Sequence, residues 1–235
     1  MFGDWLLCDF HIHTKMSDGD LSVDEIVDLY GKKGFDAIAI TDHILDAHNL
    51  EIYRNQLGQA PAIEKSGFED YLDVLWQAAK KAWQNYEMLL IPGFEITNDV
   101  HKFHLLGIDM KKYIDPDLSV EAIIAQIHQQ GGVAIACHPH QRGPNGDMYS
   151  KFLWDNNERF EPLFDAWEVG NRDDLFNVVG LKKFNYVANS DFHQLQHFYS
   201  WKTLLRCEKN TEAIKDAIRK NTGVSIYLMR KEKTE

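Results

Sequence analysis

Two histidines one residue apart, at the end of a short apolar run, constrain this chain more than any other feature. The run Trp5-Leu6-Leu7-Cys8 reads as a buried strand that leads into Asp9-Phe10-His11-Ile12-His13. Side chains on a strand alternate between faces, so Asp9, His11 and His13 point the same way. Two imidazoles in that register reach one cation together, each through a neutral ring nitrogen. Taken alone, the pair is equally compatible with two histidines that merely lie near a strand end. Further fragments of the same kind shift the balance.

The rest of the chain alternates strand and helix patterns. Ser22-Val23-Asp24-Glu25 is a capping box. It opens a helix with Val23, Ile26, Val27 and Tyr30 on one face, ending near Gly34. A buried strand over 35–41 runs into Asp42-His43. Residues 44–66 show weak periodicity and contain Gly58 and Pro61, which predicts an irregular, partly helical excursion over the strand ends. An amphipathic helix follows over 67–86, then strands over 88–96 and 102–108. A helix over 118–130 leads to a strand over 133–137, and 139–160 reads as irregular. Strands are predicted over 165–169, 185–189, 202–207 and 224–229, with a helix over 211–221 before the last. No repeat or linker interrupts the pattern, so one domain over 1–235 is expected. The alternation predicts a mainly parallel sheet, and about seven or eight strand–helix units suit a closed barrel.

Groups able to bind a metal fall at the strand ends. His11 and His13 follow the first strand, Asp42 and His43 the second, and Glu95 the third. His104 lies within the fourth, His138 follows the next, and Asp191 and His193 follow the strand ending at Asn189. In a parallel barrel the strand C-termini open on one rim, where active sites lie. Residues scattered from 11 to 193 therefore converge on one mouth.

Composition narrows the partners. The net charge of −11 disfavours a long nucleic-acid duplex, whose binding depends on phosphate neutralisation by Lys and Arg. A small phosphorylated substrate is compatible with it, because bound cations would dominate the local field. No apolar run reaches the ~18 residues of a membrane span. The start, Met-Phe-Gly-Asp-Trp, lacks the pattern of a signal peptide. Cys8, Cys137 and Cys207 form no disulfide framework, and all three fall in predicted strands as packed thiols. A reducing, cytoplasmic setting is expected.

The fragments together resemble the PHP (polymerase and histidinol phosphatase) family. The resemblance rests on Asp9-Phe10-His11-Ile12-His13-Thr14 with Ser17-Asp18-Gly19, then Thr41-Asp42-His43, Cys137-His138-Pro139 and Ser190-Asp191-Phe192-His193. Glu95 in Pro-Gly-Phe-Glu and His104 in His-Leu-Leu-Gly stand where that family carries ligands. The resemblance implies a distorted (β/α)7, TIM-like barrel with a metal site at the C-terminal rim of its strands. It implies two or three divalent ions, zinc, manganese or iron. By the same likeness one ion takes His11, His13, Glu95 and Asp191, and a second takes Glu95, His104 and His138. A third takes Asp18, His43 and His193. Some relatives carry a histidine where Asp18 stands, and an oxygen ligand there shifts preference towards manganese or iron.

The implied activity is hydrolysis of a phosphomonoester of a small metabolite, including a nucleotide or histidinol phosphate. Two ions about 3.5–4 Å apart share a hydroxide and clamp the attacking and leaving oxygens. Glu95 bridges them, and His193 is a candidate acid for the leaving alcohol. Asp9 and Asp42 are expected to stand behind the ligands and fix imidazole tautomers. Arg142, just past His138, is the foremost candidate for binding substrate phosphate, with His140 beside it and Arg172 and Lys15 as weaker ones. His128 is read as a helix-surface residue, His48 as a loop residue, and His101 and His197 as rim residues that do not ligate. Specificity is expected from 44–66, 98–101 and 140–160. The competing readings are a 3′-end nuclease, disfavoured by the acidic balance and the lack of an appended polymerase segment, amide or lactone hydrolysis, and a non-catalytic metal-holding regulatory domain.

Overall fold

A curled mixed sheet organises the chain. The computed structural model describes residues 4–142, 146, 148–172, 174–176 and 183–231. In chain order the strands and helices are β1 (Leu6–Asp9), α1 (Val23–Lys32), β2 (Ala37–Ile40), β3 (His43–Leu45), α2 (Ala47–Leu57), α3 (Phe68–Tyr86), β4 (Leu89–Asn98) and β5 (Phe103–Ile108). They continue as α4 (Val120–Gln129), β6 (Val133–Ala136), α5 (Lys151–Asp155), α6 (Asn157–Phe160), β7 (Ala166–Asn171), β8 (Asp174–Leu175), β9 (Tyr186–Asn189), β10 (Trp201–Leu205), α7 (Thr211–Lys220) and β11 (Val224–Leu228).

The sheet runs β11-β10-β1-β2-β4-β5-β6-β7-β8, with β3 paired to β4 and β9 to β7. Past β9 the chain returns to the first strand. Ile12 bridges Phe192 in parallel, and the His13 N–H donates to the Phe192 carbonyl at 2.8 Å. The curl thus brings the segment after β9 against the segment after β1.

The expected mainly parallel sheet is not what forms. Antiparallel pairings are as many as parallel ones among the described residues: β4–β5, β5–β6, β7–β8, β1–β10 and β10–β11 run antiparallel. The physical reason at β4–β5 is the short connection between Asn98 and Phe103. A parallel return needs a crossover of about a dozen residues or more. This reversal places His104 correctly. Because β5 runs backwards, its first residues lie at the rim where parallel neighbours end.

Both faces of the sheet are apolar, and the strands split their residues between two clusters. Leu7, Ile38, Leu90, Leu105 and Ala134 face one cluster with Val27, Tyr30, Tyr71, Leu75 and Ile123 of the flanking helices. Their neighbours Cys8, Ala37, Ala39, Ile91, Leu106 and Ile135 face the other, which α7 joins through Ile214, Ala217 and Ile218. The alternation of two gives the near-continuous hydrophobic strands of a sheet covered on both sides.

Several elements differ from expectation. Residues 44–66 contain β3 and α2. Asp46 caps α2 by accepting from the Asn49 N–H at 2.9 Å, and Gly58 ends it at φ 78°. Because α2 buries none of its residues, its periodicity is weak. His48 accordingly lies in a helix and not in a loop. Residues 139–160 include α5 and α6. Cys137 and Cys207 lie just beyond β6 and β10, and only Cys8 sits within a strand. No helix among the described residues is long and apolar enough to cross a membrane.

Candidate metal centre

Local sequence positions each group. After β1 the chain stays extended: the Ile12 N–H donates to Thr41 Oγ1 at 3.0 Å and the Thr41 N–H to the Ile12 carbonyl at 2.8 Å. That keeps His11 and His13 on one side. The turn through Ser17-Asp18-Gly19 folds back on Thr14, with the Gly19 N–H donating to the Thr14 carbonyl at 2.9 Å. Any side chain at Gly19 would collide with the His13 carbonyl, so the turn that presents Asp18 requires glycine. Register does the rest: β3 sets His43 opposite Glu95, and β5 sets His104 opposite Thr97 on the same face of β4.

Glu95 is the hub and is fully buried. Its two oxygens face different groups. Oε2 lies 3.2 Å from His11 Nε2, 3.3 Å from His13 Nε2 and 3.1 Å from His43 Nδ1. Oε1 lies 3.1 Å from His104 Nδ1 and 3.2 Å from His138 Nε2. Asp191 Oδ1 stands 3.5 Å from both His11 Nε2 and His13 Nε2. On the outer side, Asp18 Oδ1 lies 3.3 Å from His193 Nε2, 3.5 Å from His43 Nε2 and 3.8 Å from His13 Nδ1.

Three ligand groups follow from atom proximity: His11, His13 and Asp191; His11, Glu95, Cys137 and His138; and His13, Asp18, His43 and His193. The sequence-expected residues therefore converge, with two adjustments. His13 also turns its Nδ1 to the outer group. Cys137 joins the second group, whereas His104 is tied by its Nε2 to Asp99 Oδ1 at 3.2 Å.

Charge and burial oppose one another here. Burial alone would lower the pKa of His11, but Glu168, Glu95 and Asp191 outweigh it and hold the imidazole well above its ordinary value. Burial would likewise raise Glu95, yet His11 and His43 keep it well below the usual carboxylate range. Asp191 is held well below by His11 and His193 against its burial. His104 and His193 are pushed up to about 9 because carboxylates prevail over burial. His13 is lowered by burial and by the neighbouring His193 and His43. Burial, and then Glu95, raises the Cys137 thiol, which favours its protonated form.

These residues fit a divalent cation set. Both ring nitrogens of His13 and Nδ1 of His138 are buried without a hydrogen-bond partner. A buried unpartnered nitrogen is costly unless its lone pair is used, and imidazole with carboxylate is the donor set of zinc, manganese and iron.

A cavity of about 280 Å³ opens over the cluster. Leu45, Tyr53, Pro61, Asp99, Gln141 and Tyr149 line it together with the cluster. His138, Arg172 and Asp191 all adopt positive φ, at 23°, 49° and 48°. Such backbone costs about 1–2 kcal/mol per residue and gathers at functional sites.

The substrate-binding candidates are reordered. Arg172 lines the cavity, its Nη2 2.9 Å from Asp191 Oδ2. Arg142 is exposed and donates to the Gly146 carbonyl at 2.7 Å, outside the lining. His140 packs against Trp154, ring centroids 4.3 Å apart, and also stands outside the lining. Lys15 pairs with Glu25 at 3.3 Å. Sequence proximity to His138 does not reveal which cation lines the cavity.

Asp9 and Asp42 do not fix imidazole tautomers. Asp9 accepts from the Tyr30 hydroxyl and the Ser190 N–H, both at 3.0 Å, and lies 3.3 Å from Lys202 Nζ. Asp42 accepts from the Thr14 N–H at 2.7 Å, the Thr14 hydroxyl at 2.9 Å and the Ser17 hydroxyl at 2.6 Å. Both carboxylates brace the loops that carry the candidate ligands. Carboxylates that do touch an imidazole from behind are Glu168, 2.9 Å from His11 Nδ1, and Asp99 at His104 Nε2. A charged residue inside the apolar strand Ala-Trp-Glu-Val was the available signal. Among the outlying histidines, His197 Nδ1 accepts the His193 N–H at 3.1 Å.

A model of the PHP domain family matches residues 9–232. An uncharacterised protein of Methanocaldococcus jannaschii is 30% identical over 189 residues, covering 74% of this chain and 89% of that protein. A two-domain protein of Bacteroides vulgatus, containing a predicted PHP-like metal-dependent phosphoesterase, superposes with a TM-score of 0.68 at 22% identity. That match covers 96% of this chain, which spans 65% of the length of the two-domain protein. An amidohydrolase of Chromobacterium violaceum with bound sulfate superposes with a TM-score of 0.53 at 14% identity, covering 80% of this chain and 88% of that one. At these identities the two structures share a fold with this chain.

Proposed function

The chain belongs to the PHP domain family, and on that premise we propose that it is a metal-dependent phosphoesterase that hydrolyses a phosphomonoester of a small metabolite. The observation that carries this reading is the division of Glu95. One carboxylate turns each oxygen to a separate set of imidazoles, as a group bridging two cations would.

In this reading His11, His13, Glu95 and Asp191 hold one cation, and Glu95, His104 and His138 hold a second, with Cys137 adjacent. Asp18, His43 and His193 hold a third, with His13 Nδ1 facing the same space. The bound cations would supply Lewis acidity and lower the pKa of a water at neutral pH.

The chain's own residues supply the remainder. Arg172 receives and orients the phosphate, since a guanidinium forks onto two of its oxygens. His193 donates through Nδ1 to the Asp191 carbonyl at 2.9 Å, which leaves Nε2 facing the cavity beside Asp18. That nitrogen either carries a proton for the leaving alcohol or ligates, so filling the outer group removes this acid. Tyr53, Tyr149, Leu45 and Pro61 narrow the cavity and limit water around the ester. Its volume of about 280 Å³ suits a small metabolite. The net charge of −11 disfavours a duplex.

A screen of sugar phosphates, nucleotides, histidinol phosphate and short oligonucleotides with manganese tests the reading. Turnover of a small monoester is expected. Preference for oligonucleotide ends would replace it with a nuclease, and no turnover of any phosphate ester would sink it.

A further inference from the structure

Glu168 is buried in β7, and the chemistry above makes no use of it. Each of its oxygens takes two donors. Oε1 accepts from His11 Nδ1 and from Asn189 Nδ2, both at 2.9 Å. Oε2 accepts from the His138 backbone N–H at 2.8 Å and from Asn171 Nδ2 at 3.1 Å. Burying a carboxylate is expensive unless its lone pairs are engaged, and here they are.

We propose that Glu168 is a positioning residue that sets the tautomer of His11 and the backbone turn of His138 at once, aligning imidazoles of both inner cation groups. The inference rests on the cation-binding reading above.

Two geometric facts carry it. An ionised carboxylate only accepts, so the His11 nitrogen facing it carries the proton. When a cation displaces the second proton of His11, the other nitrogen, Nε2, offers its lone pair beside Glu95 Oε2, 3.2 Å away, and Asp191 Oδ1, 3.5 Å away. Three electron-rich atoms facing one another form a stable set once a cation stands among them. On the other side, His138 adopts φ 23°, a conformation that an L-residue holds only under restraint. The bond from its N–H to Glu168 supplies that restraint and aims Nε2 at Glu95 Oε1, 3.2 Å away. Asn171 and Asn189 fix the plane of the carboxylate, so neither bond can be improved at the expense of the other.

Glu168→Gln tests this, because the amide keeps the shape but has one accepting and one donating end. With the NH2 towards His11, the proton is driven to Nε2 and the lone pair is lost. With the NH2 towards His138, two donors oppose each other. Zinc affinity, read by competition with a chelating dye, is expected to fall at least about tenfold. Nitrogen-15 NMR of zinc-loaded wild type is expected to show His11 protonated at Nδ1 and unprotonated at Nε2. The proposal is overturned by wild-type affinity in Glu168→Gln with an unchanged His11 signal. It is equally overturned by wild-type His11 that carries its proton on Nε2, a result available even when the variant fails to fold. A wild type that takes up no zinc would instead remove the cation-binding reading, and this proposal with it.

Discussion

Arg172 holds its guanidinium 2.9 Å from Asp191 Oδ2, while the other oxygen of Asp191 faces His11 and His13. One carboxylate thus joins the candidate anion-binding residue to the candidate cation ligands. On the proposed reading, substrate binding and cation binding would be coupled through Asp191.

Arg172→Ala is expected to raise KM for a phosphate ester by about tenfold to a hundredfold, the loss of a charge-assisted bond of ~1.5–3 kcal/mol. Arg142→Ala is expected to leave KM near wild type, since Arg142 bonds the Gly146 carbonyl outside the cavity. Steady-state kinetics with the substrate found in the screen decide it. The reverse ranking would return the anion site to the loop after His138.

Glu95→Gln keeps the shape of the hub and removes its charge. Two cations should then bind more weakly, and turnover should fall by at least about a hundredfold. His128→Gln is the control, because the His128 side chain, on an exposed helix surface, pairs with Asp165 at 2.9 Å away from the cluster. Its loss is worth at most ~1 kcal/mol. Metal analysis of both variants, alongside kinetics, would expose a misplaced site if Glu95→Gln kept its metals.

Chelator-treated protein should show a distinct pH profile. His104 and His193 are both pushed up to about 9, so they stabilise the fold fully below the ordinary imidazole value near 6.5. That contribution is lost as pH rises towards 9. Glu95 and Asp191, held low, act oppositely and lose their contribution on acidification. The Tm of cation-free protein should therefore decline from about pH 6.5 to 9. Zinc should reverse the trend, because its ligation needs neutral imidazoles and releases protons. Thermal melts with and without zinc across this range provide the check, and a cation-free Tm that climbs to pH 9 would refute it.

Lys202 is buried beside Asp9, its Nζ 3.3 Å from Oδ2 and 2.8 Å from the Ser200 hydroxyl. Lys202→Met leaves Asp9 buried without its cation, which costs about 3–5 kcal/mol. Urea denaturation should show that loss. A change under ~1 kcal/mol would mean that Tyr30 and Ser190 satisfy Asp9 by themselves.

Sequence alone determined which residues meet. His11, His13, Glu95, His138, Asp191 and His193 each follow or end an apolar strand, and strand pairing gathers such residues, whereas His104 joins them because β5 runs antiparallel to β4. Asp18 was implied only by the family resemblance, through Ser17-Asp18-Gly19. Tertiary structure decided what each group touches. Asp9 and Asp42 share the strand-end pattern of the ligands, yet their oxygens go to Tyr30, Ser190, Lys202, Thr14 and Ser17. Glu168, read as one position in a strand, reaches both His11 and His138 because β7 lies beside β6 and β9 in the curl. Arg172, the residue next to the end of β7, lines the cavity, whereas Arg142 bonds the Gly146 carbonyl. The periodicity of a strand records which face a side chain takes. The partner on that face depends on register and crossing chains, which enter only when distant segments pack.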